Sequence, residues 1–207
     1  MDLFDGTLAV APSGGARHRV APAGDAYEAF PDIQRRNTLQ ARLEVPAFVR
    51  ALRLPSRAAI LEIGCGRGVA LPVLHRLLRP ARLVGLDIEP AFLREAEARA
   101  AAAGAPVELV EGDARVLPFP TASFDVVIDF GTCYHIARAG LAVREIARVL
   151  ATGGVFATET KAAQLLSHPV RTRGRRLPLA TAPELVPRNH ALLWASYVRA
   201  PALAPER

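Results

Sequence analysis

The sequence is poor in cysteine, in lysine and in long apolar runs. Its two cysteines, Cys65 and Cys133, are too few for a disulfide framework or a cysteine-rich metal cluster. A reduced, cytoplasmic setting is the plain inference. No apolar run reaches the ~18 residues that a membrane-crossing helix needs. The first residues, Met1-Asp2-Leu3-Phe4-Asp5, lack the basic-then-apolar form of a signal peptide. His18, His75, His168 and His190 show no metal-ligand spacing, so no metal is expected. No internal repeat is present. Basic residues number 26 against 20 acidic, yet Lys161 is the single lysine. The densest basic cluster, Arg171, Arg173, Arg175 and Arg176, lies in a Gly/Pro-containing stretch without interleaved aromatics. The +6 charge therefore reads as a compositional preference for arginine and argues against a nucleic-acid groove.

What is present suits a single α/β unit. With 207 residues and 51% hydrophobic content, the chain can bury a full core. Met1 to Gly24 show no hydrophobic period and read as a loose arm. From Asp25 to Leu54 the spacing is helical. Asp32 is placed to cap one helix through Ile33, Leu39 and Leu43, and Pro46 suits the first turn of a second. Residues 1–54 thus form an arm and a helical cap, and residues 55–207 the main domain. Gln34, Arg35, Arg36, Asn37 and Gln40 make the cap polar on one side. That side is either a solvated face or a lid, with Tyr27 and Phe30 shielding a site from water.

The most informative stretch is Leu61-Glu62-Ile63-Gly64-Cys65-Gly66-Arg67-Gly68. An apolar run precedes it, and Val69 to Leu78 follow with helical spacing: a buried strand, a glycine turn, then a helix. Glycine permits positive φ and close approach of a ligand to the backbone. Ligands of open α/β sheets bind at the carboxyl ends of the strands, so a cofactor is expected at this turn. A dinucleotide fold would show G-x-G-x-x-G, whereas Val69 stands three residues after Gly66.

Further strand ends supply polar groups. Leu83 to Leu86 read as a parallel strand ending in Asp87, with Ile88 next and Pro90 opening a helix that Gly104 stops. Asp87, some twenty residues after the turn, suits a ribose, while Glu89 suits the helix cap. Val107 to Val110 read as a third strand, closed by Glu111-Gly112-Asp113-Ala114. Asp113 is suited to an adenine amino group, with the Ala114 N–H facing a ring nitrogen; a plain Gly-Asp turn has the same spelling. Phe124 to Asp129 form a fourth strand, with Asp129 at its tip. An amphipathic helix is expected from Leu141 to Leu150, stopped by Gly153-Gly154, before a fifth strand Val155–Glu159. A short helix from Lys161 to Ser167, a basic connection and a last strand at 192–198 follow, so the alternation ends in one more strand or a hairpin. The expected fold is a doubly wound, mostly parallel sheet.

Leu61–Gly68, Gly85–Pro90, Glu111–Ala114, Pro118–Ile128 and Arg144–Gly154 together resemble class I S-adenosylmethionine-dependent methyltransferases. They are most similar to the type-11 group that includes ubiquinone/menaquinone-biosynthesis enzymes. The likeness runs from about Ala58 to Glu159. It implies a Rossmann-like sheet of seven strands whose last is antiparallel, and S-adenosyl-L-methionine as cofactor. It also implies that Glu62, Gly64, Cys65, Gly66 and Gly68 border the methionine part, Asp87 and Ile88 the ribose side, and Asp113 and Ala114 the adenine. The usual Lys-Pro-Gly-Gly is Ala151-Thr152-Gly153-Gly154 here, and the region beyond Glu159 is short.

The loop Phe130–Ile136 faces the expected reaction centre. His135 has the chemistry of a base near neutral pH, and Tyr134 that of a substrate or sulfonium contact. The structural reading competes for both, a lone histidine beside Ile136 being more often a satisfied structural residue, and Cys133 and Cys65 read as packing. The expected activity is methyl transfer to a small-molecule acceptor by a monomer or homodimer. The alternatives are a nicotinamide-dependent oxidoreductase and a non-catalytic adenosylmethionine-binding regulatory protein.

Overall fold

The computed structural model describes residues 32–167 and 176–201. Tyr27, Phe30, the arm before them, His18, His168, Arg171, Arg173 and Arg175 lie outside the described residues.

Seven strands form one sheet: β1 Ala59–Ile63, β2 Arg82–Asp87, β3 Glu108–Glu111, β4 Phe124–Asp129, β5 Leu150–Glu159, β6 Leu185–His190 and β7 Trp194–Arg199. Their order is β3-β2-β1-β4-β5-β7-β6. Pairing is parallel from β3 through β5, and β7 runs antiparallel to both β5 and β6. The central strands are apolar on both faces because helices cover both. Leu61, Ile63, Val84 and Val127 pack on the side of α6 (Ala139–Val149). Ile60, Val126 and Ile128 pack on the other side against α2 (Val45–Leu52) and α3 (Leu71–Leu78). Each fully buried aliphatic side chain of this kind contributes about 1.5–3 kcal/mol of transfer free energy. Helix α4, Pro90–Ala102, links β2 to β3, and Glu89 caps it by accepting the Ala91 N–H.

The Leu117–Pro120 segment and α6 are stapled together. The Arg148 guanidinium donates to the carbonyls of Leu117 (3.0 Å) and Phe119 (2.8 Å) and pairs with Glu145. Glu145 also accepts the Leu117 N–H at 2.8 Å. The Leu-Pro-Phe-Pro segment, which has few backbone donors of its own, is thereby fixed against α6.

Three local expectations are corrected. The cap is one continuous helix and not two: α1 (Ile33–Leu39) passes through a π turn, Gln40–Glu44, into α2. Pro46 has no N–H to donate to Arg42 and its ring crowds that carbonyl. The wider turn before it, in which the Val45 N–H reaches back to Gln40, relieves this. Second, α6 ends at Val149, and Leu150 is already extended and paired with Phe124. Gly153-Gly154 therefore lie inside β5, at a register irregularity, and do not stop the helix. Third, Leu185–His190 is a strand. Its Pro187 and its polar, largely exposed side chains are tolerated because β6 is the sheet edge.

Candidate active site

The carboxyl ends of β1, β2, β3 and β4 open into a cavity of about 440 Å³. Gly64, Gly66 and Gly68 all hold positive φ, at 61°, 52° and 69°. Two of them are closed in by neighbours. A Cβ on Gly64 would lie 2.0 Å from the Thr132 hydroxyl, and one on Gly68 would lie 2.6 Å from the Ala96 Cβ. A Cβ on Gly66 would meet nothing within 4 Å. Gly64 and Gly68 thus serve packing, while Gly66 bares its backbone to the cavity.

Asp87 ties the glycine turn to the second strand. One carboxylate oxygen accepts the Gly66 N–H at 2.8 Å and the other the Glu89 N–H at 2.9 Å. A carboxylate has about four acceptor sites, so Asp87 keeps acceptor capacity for a ligand. Burial raises the Asp87 pKa, and these backbone hydrogen bonds work against the rise. Glu62, on β1 between Asp87 on β2 and Asp129 on β4, is 3% exposed. Burial, then the charges of Asp87 and Asp129, push its carboxyl up to about 8. Its Oε2 is buried with no hydrogen-bond partner, and Glu62 lines the cavity. The site therefore holds acidic groups poorly compensated by the protein, which suits a cationic ligand.

At the third strand, Asp113 accepts both the Arg115 N–H and its Nε, at 2.8 and 2.9 Å. Arg115 is 4% exposed and also donates to the Ala137 carbonyl. The Gly112–Arg115 segment closes that end as a neutral ion-paired wall. Opposite it, Phe130, Thr132, His135 and Ile136 line the cavity after β4. The Thr132 hydroxyl donates to the Ile63 carbonyl at 3.2 Å, holding the short helix α5 (Thr132–His135) against the glycine turn.

Of the residues expected here, Glu62, Gly64, Cys65, Gly66, Asp87, Ile88, Asp113, Ala114 and His135 line one cavity. Gly68, Asp129 and Tyr134 stand behind its wall. Asp129 is fully buried, accepts the Thr158 hydroxyl at 3.3 Å, and has its carboxyl pushed by burial up to about 6. Tyr134 is 4% exposed and its hydroxyl donates to the Glu159 carbonyl. Burial pushes the thiols of Cys65 and Cys133 well up, so neither is a ready nucleophile.

The cap supplies a wall that spacing alone left open. Ile33, Arg36, Asn37 and Gln40 line the cavity, whereas Gln34 and Arg35 face solvent. The signal was the i, i+3, i+4, i+7 spacing; the π turn keeps that stripe in line with Val45, Phe48 and Leu52 in the core. Arg115, Thr132 and Phe92 were also missed. Each is an ordinary residue in a loop or helix start, and only the three-dimensional cavity selects it.

Strand order, glycine turn and strand-end carboxylates define an α/β protein of the Rossmann-like class with its ligand cleft at the switch point between β1 and β4. Residues 61–158 match the model of a family described as a methyltransferase domain. The chain is 39% identical over 97 residues to a fatty-acid O-methyltransferase of Mycolicibacterium smegmatis, covering 47% of this chain and 35% of that protein. It is 43% identical over 101 residues to a phthiotriol/phenolphthiotriol dimycocerosates methyltransferase of Mycobacterium leprae, covering 47% and 36%. The chain thus matches about a third of the length of these relatives. A putative S-adenosyl-L-methionine-dependent methyltransferase from Methanococcus maripaludis shares the fold, with TM-score 0.64, 15% identity and coverage of 86% of this chain and 98% of that one. No helix among the described residues is long and apolar enough to cross a membrane.

Proposed function

We propose that this chain transfers the methyl group of S-adenosylmethionine to an oxygen atom, a carboxylate or hydroxyl, of an amphiphilic, lipid-like acceptor. The observation that carries the reading is the buried Glu62 carboxyl, whose Oε2 lacks a partner beside the bare backbone of Gly66. A ligand with fixed positive charge and a nucleoside fits that combination. Gly66 and Glu62 would take the amino-acid and sulfonium part, Asp87 the ribose, and Ile88, Asp113 and Ala114 the base. When bound, the sulfonium supplies an already activated methyl group. The protein's task is then orientation and exclusion of water, which is worth several kcal/mol without acid–base chemistry. Phe130, Ile136 and Ile33 make the acceptor end apolar, and Asn37 and Gln40 offer hydrogen bonds over it. A carboxylate acceptor needs no base. For a hydroxyl, His135 is the group on that wall able to take the proton. The lipid-acting names of the two relatives support this acceptor class.

The test is calorimetry with S-adenosylmethionine, S-adenosylhomocysteine and NADH, then S-adenosylhomocysteine release with medium-chain fatty acids and aliphatic diols. Tighter binding of NADH would overturn the reading in favour of an oxidoreductase. Tight S-adenosylmethionine binding without turnover on any acceptor would favour a regulatory binding protein.

A further inference from the structure

The cap helix has two faces, and only the inner one belongs to the cavity. Its outer face carries Arg35, Leu39, Arg42 and Leu43, all exposed, with Leu39 at 40% and Leu43 at 62%. The π turn keeps these residues on one side, as it keeps Ile33, Arg36, Asn37 and Gln40 on the other. The two acids of this helix are engaged elsewhere: Asp32 caps the first turn, and Glu44 pairs with Arg36. Among the described residues, neither Arg35 nor Arg42 has an ion pair.

The same edge of the sheet carries further exposed leucines. Leu165 and Leu166 lie on α7 (Lys161–Ser167), which follows directly on the end of β5. Leu192, 76% exposed, lies in the turn between β6 and β7. Thr160 joins these two places, its hydroxyl donating to the Leu192 carbonyl at 2.7 Å and its N–H to the Leu193 carbonyl at 2.8 Å. Trp194, at the start of β7, packs edge-on against Phe48 of α2, and Phe48 packs on Phe130 of the cavity wall. The cap lines the acceptor end of the cavity, and the β6–β7 turn and α7 lie beside it, joined to its wall through Trp194, Phe48 and Phe130. Among the described residues, that rim bears the cations Arg35, Arg42 and Lys161. On the opposite side, Glu89 lines the cavity and Glu111 ends β3, while the cations there, Arg67 and Arg115, are each paired with an acid, Glu95 and Asp113. Apolar side chains flanked by unpaired basic ones, gathered on one side of a cleft mouth, fit an anionic lipid–water interface.

We propose that the rim formed by Leu39, Leu43, Leu165, Leu166 and Leu192, with Arg35 and Arg42, docks the protein on an anionic lipid surface and turns the acceptor end of the cavity towards it. This deepens the reading of a lipid-like acceptor, which would enter from the interface without crossing water. Vesicle binding needs no methyl transfer, so its failure and the failure of the methyltransferase reading are separate results.

The experiment is co-sedimentation of the full chain with vesicles of phosphatidylcholine alone, or of phosphatidylcholine mixed equally with phosphatidylglycerol. Binding to the anionic vesicles is expected to be on the order of tenfold tighter and to fall as salt is raised. The pair Leu43→Ser with Leu192→Ser, and the pair Arg35→Glu with Arg42→Glu, should each weaken it on the order of tenfold or more. Arg76→Glu, on the exposed side of α3 away from this rim, should not. Calorimetric affinity for S-adenosylhomocysteine should stay unchanged in all of these variants and reports that they are folded. Equal binding to both vesicle types, no binding at low salt, or wild-type binding by both pairs would overturn the proposal. So would sedimentation equilibrium showing that the wild type self-associates and the leucine variants do not, since a second copy would then cover the rim.

Discussion

Glu62→Gln tests the electrostatic core of the site. In the free protein the Glu62 carboxyl titrates at about 8, because burial and the nearby Asp87 and Asp129 disfavour its charge. At pH 7 roughly nine-tenths of molecules therefore carry the proton. A bound cation favours the ionised form, so binding expels that proton. If the complex keeps Glu62 ionised down to pH 6, affinity follows the ionised fraction of the free protein. That fraction rises roughly fiftyfold between pH 6 and pH 8, about 2.3 kcal/mol, and then levels off. Titration calorimetry of S-adenosylmethionine in buffers of different ionisation enthalpy reads both quantities. The expected result is tighter binding with rising pH and release of close to one proton at pH 7. In Glu62→Gln the slope and the proton release should vanish, with affinity at pH 8 below that of the wild type. A wild-type affinity flat from pH 6 to pH 8, or an equal slope in the variant, would refute the role given to this carboxyl.

The same group makes a stability prediction. Its folded pKa lies above the unfolded value of 4.5, so the folded state holds the extra proton between those limits. Stability should therefore fall as pH rises through that window, and Glu62→Gln should be the more stable protein at pH 8 by a few kcal/mol, read by urea unfolding. The glycine turn should separate into two behaviours. Gly68→Ala would place its Cβ 2.6 Å from that of Ala96 and should cost about 2–4 kcal/mol of stability. Gly66→Ala has open space, should cost only about 1–2 kcal/mol, and should instead weaken calorimetric S-adenosylhomocysteine binding. Asp87→Asn should weaken that binding by about 1.5–3 kcal/mol, and unchanged affinity in the folded variant would remove Asp87 from the ligand site. Arg148→Ala strips the donors from the Leu117 and Phe119 carbonyls and should lower stability by about 1–2 kcal/mol, with ligand affinity intact.

The legible parts of the chain share a physical cause. β1, β2 and β4 are buried on both faces over most of their length, so each is a largely apolar run, and Glu62 near the end of β1 and Asp87 at the end of β2 enter the cleft. Glu62 and Asp87 could be placed from sequence because strand ends are fixed points of this topology. β6 had no such signature: as an edge strand it keeps Pro187, Arg188 and Asn189, and Arg188 and Asn189 donate to the Leu52 carbonyl at the end of α2. Its identity as a strand comes from β7, not from its own residues. The split of the cap into two faces was hidden for a different reason. A regular helix through Val45, Phe48 and Leu52 would turn Thr38 inward, whereas the extra residue of the π turn leaves Thr38 exposed and brings Gln40 and Asn37 to the cavity. The i, i+3, i+4, i+7 spacing groups these side chains on one stripe, but in a strongly polar stretch it does not say which way that stripe points. One inserted residue, set by a proline six positions beyond Gln40, decides whether two carboxamides meet water or the acceptor end of the cavity.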